Sequence, residues 1–129
     1  MVVMKNFIYL KDPNVFVDSL SLVVHLSNIQ TEDDLLDKLN MHLTFPSYFG
    51  FNYNALYDCL SDFHWLKQYR IIIVHDDMPN LDDQTLKIYT KVLYDAINNW
   101  KEGEEHTFDV VFPKQYEQKI ESLIARMNP

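Results

Sequence analysis

Apolar residues along this chain follow two rhythms, short unbroken runs and longer stretches spaced by three and four, and their alternation predicts strands alternating with helices. Phe7-Ile8-Tyr9-Leu10 reads as a strand closed by the turn-forming Lys11-Asp12-Pro13-Asn14, and residues 15 to 20 read as its continuation or as a turn. Ser21 to Leu26 is a second strand, rich in β-branched residues. Thr31 is placed to cap a helix, with Asp33 and Asp34 in its first turn, where the helix dipole favours negative charge. Leu35, Leu36, Leu39 and Leu43 form its inward face. Arg70 to His75 is the strongest strand, a continuous β-branched run suited to the centre of a parallel sheet. A long amphipathic helix over about 82 to 101 carries Leu86, Tyr89, Val92, Leu93, Ala96 and Trp100, with Gly103 as its stop. Thr107 to Phe112 makes another strand. Pro113 then suits the first turn of a closing helix bearing Tyr116, Ile120, Leu123 and Ile124.

This order predicts an α/β fold in which right-handed crossovers give a mainly parallel three-stranded sheet with helices packed on it. The strands near 22 to 26, 70 to 75 and 107 to 112 form the core, and the first run is left as a candidate edge strand. With no repeat, linker or low-complexity tract, residues 1-129 read as a single domain.

The segment from Pro46 to Leu60 breaks the monotony. Gly50, one of only two glycines in the chain, stands between Phe49 and Phe51, which implies a backbone that a Cβ would hinder. Asn52 can cap a helix starting near Tyr53. On that helix Tyr53, Leu56, Leu60 and Phe63 share an inward face, while Asn54, Asp58 and Asp62 share the outward one. Five aromatics lie between Tyr48 and Tyr57, too many for one short loop and helix to bury, so some should be exposed as interface anchors.

Written as P-x-Y-[FY]-G-x-N-x-[DN]-A-L-[WY]-D-x-L, residues 46 to 60 resemble the signature of barstar-type proteins, intracellular inhibitors of barnase-like ribonucleases. The likeness is dense there and looser over residues 20 to 112, and the two ends have no counterpart. It implies a small three-layer barstar-like fold. It also implies that Tyr48, Gly50, Asn52, Asn54, Tyr57 and Asp58 form the partner-binding surface. In the family two acidic residues one helical turn apart enter the nuclease active site. The first of those positions is Asn54 here, so the partner or the affinity should differ.

Composition narrows the setting. An apolar fraction of 47% with 23% charged residues describes an ordinary globular protein and not a disordered one. Eleven basic against nineteen acidic residues give a net charge of −8, which disfavours direct nucleic-acid binding and favours a basic protein partner. The start of the chain lacks the pattern of a secretory signal, and no run approaches the length of a membrane span, so a soluble cytoplasmic protein is expected.

Sites of other kinds find little support. The histidines at 25, 42, 64, 75 and 106 lack the close spacing of a helical metal site, and His25 and His75 read as satisfied structural residues. The acidic stretch from Asp76 to Asp83 lacks the glycine and terminal glutamate of an EF-hand. Cys59, the only cysteine, reads as a buried helix residue with a blunted thiol. No hydrolase elbow, P-loop or dinucleotide motif occurs. The expectation is therefore a protein without catalytic activity, metal or cofactor. It would be an antitoxin or immunity protein that plugs a cytotoxic ribonuclease, with Asp58 standing in for the phosphate, Tyr48 packing over the cleft and Asn54 exchanging a hydrogen bond. Protection against a toxin unlike barnase is the alternative, and a small hydrolase is the less favoured one. The oligomeric state is left open.

Overall fold

A computed structural model describes residues 5–125. Four strands, β1 (Phe7–Leu10), β2 (Leu22–Leu26), β3 (Arg70–His75) and β4 (Thr107–Pro113), form one sheet in the order β1-β4-β3-β2. Every neighbouring pair is parallel, with Leu22 opposite Ile71, Ile71 opposite Phe108 and Phe7 opposite Val110. The first run is thus an edge strand. Pro113 ends β4 opposite Leu10 instead of opening the last helix; the β3 register stops at Val111, so on that side no ladder bond calls for its missing N–H.

Four helices complete the chain: α1 (Glu32–Leu43), α2 (Tyr53–Leu60), α3 (Asp83–Asn99) and α4 (Glu117–Ala125). The expected caps are in place, since Thr31 accepts from the Asp34 N–H at 3.0 Å. Asp82, which the sequence reading did not single out, caps α3 in the same way by accepting from the Thr85 N–H at 2.7 Å. The long helix stops at Asn99, where Trp100 turns extended, and Gly103 adopts a left-handed φ in the turn beyond.

Alternation along the strands sends Ile71, Ile73, Phe108, Val110 and Phe112 into one large core with the helices. Ile72, Val74 and Val111 face the other way and form a smaller cluster with Ile8, Leu10, Phe16 and Val23. That face is covered by the β1–β2 connection, including a 3-10 turn at Pro13–Val15, so the third layer is a length of chain and not a helix. Asp109 lies buried on this side. It accepts from Arg70, which also reaches Asp18 and so ties the connection down. No helix of the described residues is long and apolar enough to cross a membrane.

Candidate functional site

The nine residues between α1 and α2 are held at almost every position. Thr44 ends α1 in the left-handed region, and the Phe49 N–H closes a turn onto the Pro46 carbonyl at 2.9 Å. Phe49 is buried against Phe45, with ring centroids 4.6 Å apart, and Phe45 meets the edge of Trp65. The Trp65 indole donates to the Leu43 carbonyl at 2.9 Å, which anchors the stack to the end of α1. Because Phe49 points inward, its neighbour Tyr48 points out and is 64% exposed.

Asn52 organises the entry to α2 with both ends of its amide. Its Oδ1 accepts from the Ala55 N–H at 2.8 Å, and its Nδ2 donates to the Gly50 carbonyl at 3.3 Å. A Cβ on Gly50 would come 3.2 Å from that same Nδ2, so a larger residue would press on the cap side chain where it folds back over the turn. Besides Thr44, the left-handed residue of the loop is Phe51, at φ 52°, while Gly50 itself keeps out of that region. A bulky residue there is strained by about 1–2 kcal/mol, and Phe51 is held by its ring contact with Phe49 at 4.8 Å. Phe63 also departs from the sequence reading. Helix α2 stops at Leu60, and Phe63 reaches the core by its own left-handed turn, φ 53°, to stack on Trp100.

Leu56, Cys59 and Leu60 are buried and seat α2 on the core, while Tyr53 is only half-buried. Full burial of a leucine stabilises by about 2 kcal/mol, so these side chains fix the helix's roll. The Trp100 indole donates to the Leu60 carbonyl at 2.9 Å and pins its C-terminal end. That roll leaves Asn54 and Asp58 exposed, with Asp62 exposed just beyond the helix. Tyr48 lies beside the acidic end of this row. Its phenol is raised above its ordinary pKa by reduced contact with water and then by the negative charges of Asp62 and Asp58. Asp62 accepts from His64 at 2.6 Å. Burial, followed by the carboxylates of Asp58 and Asp62, pushes the Cys59 thiol up to about 11, which suppresses its thiolate.

The six residues singled out in the sequence therefore divide. Tyr48 and Asp58 share the open side of α2, Gly50 and Asn52 shape the backbone between loop and helix, and Asn54 and Tyr57 line an open groove of about 1050 Å3 against α3. The groove also holds Lys87, Lys91 and Asp95, residues that no motif had marked. Only the fold brings α3 beside α2. Among the described residues no group of three His, Cys, Asp or Glu side chains is placed to hold a metal ion.

The family model described as Barstar (barnase inhibitor) matches residues 20–113. The chain belongs to the barstar family. The match runs from β2 through β4 and takes in the whole loop and α2, whereas β1 and α4 lie outside it. Among curated proteins no match to the chain is found. Barstar membership places the chain in a family of inhibitors with a protein partner, and the mixed α/β fold with its parallel sheet agrees with it.

Proposed function

We propose that this barstar-family protein is an intracellular immunity protein that binds a cytotoxic ribonuclease and blocks its active site, with Tyr48, Gly50, Asn52, Asn54, Tyr57 and Asp58 as the docking surface. The observation that carries the reading is the placement of Asp58 on a helix whose roll is fixed by buried neighbours, with the exposed Tyr48 beside it. A ribonuclease concentrates cations where it holds the scissile phosphate. A carboxylate presented without rearrangement can replace that phosphate at little entropic cost. The strain at Phe51 supports the same reading, since a bulky residue in the left-handed region marks a segment whose shape is specified.

The test is inhibition of barnase by the wild-type protein and by Asp58→Ala. Truncating one member of a buried, hydrogen-bonded charge pair costs about 2–5 kcal/mol and shows in the dissociation rate. The variant should therefore inhibit far more weakly. Equal inhibition by both proteins would remove Asp58 from the interface. A second reading, protection against a toxin unlike barnase, is favoured by the amide at Asn54 and by the lysines that flank it across the groove. Under that reading barnase is left active by both proteins.

A further inference from the structure

The groove between α2 and α3 is the part of this surface that a purely anionic decoy leaves unexplained. Asn54 and Tyr57 form its α2 wall, so it is continuous with the face that presents Asp58. Lys87 and Lys91 stand on the α3 wall, and Lys101 lies just past the C-terminal end of that helix. Three of eleven basic residues thus line one groove on a protein of net charge −8. The two carboxylates that share it are already engaged. Asp95 accepts from Lys91 at 2.8 Å, and Asp83 pairs with Lys119 at 3.1 Å. Lys101 donates to the Asn98 carbonyl, whereas the half-buried Lys87 has no ion-pair partner among the described residues.

A uniformly cationic cleft laid across α2 would satisfy Asp58 and would set its own cations against these lysines. Like charges facing each other across an interface cost affinity and select against that partner. Lys87 shares the groove with the apolar Ile88 and Val92 of α3 and Leu123 of α4, so covering the groove would strip its ammonium of water and require an anion in exchange. We propose that the α2–α3 groove accepts a carboxylate-bearing segment of the partner polypeptide, so that the partner is charge-divided: cationic where Asp58 and Tyr48 dock, acidic where it crosses α3. This rests on the reading of the Tyr48–Asp58 face as a docking surface. It also gives Asn54 a purpose, because an amide at the lip of the groove can donate to a carboxylate that an acidic side chain would repel.

The test uses the full chain, isotope-labelled for resonance spectroscopy, and three probes: a glutamate-rich peptide, a lysine-rich peptide of the same length, and a single-stranded oligonucleotide. At millimolar concentration the glutamate-rich peptide is expected to shift the resonances of Asn54, Tyr57 and Lys87, and the lysine-rich peptide those of Asp58, Asp62 and Tyr48. Lys87→Glu should weaken the glutamate-rich peptide about tenfold and leave the response to the lysine-rich one intact. The exposed Lys101→Glu serves as the second variant, expected to act in the same direction. A glutamate-rich peptide that leaves the groove resonances in place overturns the proposal. So does an oligonucleotide that binds the groove more tightly than that peptide. The result is separable from the ribonuclease assay. Loss of inhibition in Asp58→Ala with a silent groove keeps the inhibitor reading and discards this one, and a responsive groove with no inhibition does the reverse.

Discussion

His75 ends β3 with both ring nitrogens committed. Nδ1–H donates to the Val111 carbonyl at 2.8 Å, Nε2 accepts from the Tyr89 hydroxyl at 2.7 Å, and the ring stacks on Phe112 at 3.9 Å. Burial disfavours the imidazolium and lowers the pKa from 6.5 to about 4, the bond to Val111 opposing the shift only in part. An unfolded chain binds this proton first as the pH falls, so the neutral ring's contribution to stability is complete above pH 6.5 and is lost as the pH drops through the folded value. The loss approaches about 3 kcal/mol at the acid end of that window. Urea unfolding midpoints should fall across it. In His75→Phe the fall should be shallower, with lower stability near neutral pH because Tyr89 and Val111 lose a partner. Identical acid slopes for the two proteins would assign the effect to other groups.

Helix α2 has eight residues, too few to be stable alone, so its ends and its buried face must hold it. Asn52 is the N-terminal hold, and its two bonds can be separated by substitution. Asn52→Ala removes both and should destabilise the protein by about 1 kcal/mol in urea titration. Asn52→Asp keeps an acceptor for the Ala55 N–H and loses the donor to Gly50, so most of the stability should be retained and the Ala55 amide should stay protected from exchange. Equal destabilisation by the two variants would mean that the turn bond, and not the cap, holds the loop. At the other end the left-handed Phe63 and the Trp100 indole stop the helix where its apolar face ends.

Across the molecule, the chain goes from one edge of the sheet to the other between β1 and β2, then returns strand by strand to fill the middle. The first crossing lies over one face and the helices over the other, so the Pro46–Asn52 loop and α2 lie on the helical face, with α2 packed beside α3. Net charge acts at this scale too. A protein of charge −8 should associate with a basic nuclease at a rate that falls steeply as salt rises, because exposed charges are screened beyond a Debye length of about 8 Å at physiological ionic strength. Stopped-flow association at several salt concentrations would measure this. The dissociation rate, set by buried contacts, should change little, and a salt-independent association rate would exclude steering.

The strands, the caps at Thr31 and Asn52, and the outward row of Asn54, Asp58 and Asp62 were legible in the chain, because each depends on residues within a few positions of one another. The Pro46–Leu60 motif likewise carried the family. Local spacing gave no sign of the left-handed turn at Phe51 and misread the route of Phe63 into the core. Those depend on rings supplied by Phe45, Phe49 and Trp100, and a left-handed turn has no sequence rule once such contacts hold it. Tertiary structure alone placed β1 at the far edge beside β4, laid the β1–β2 connection over the second face, and set Lys87 and Lys91 across a groove from Asn54. Residues more than thirty positions apart meet there only because α2 and α3 pack against each other, and no periodicity in the sequence encodes that meeting.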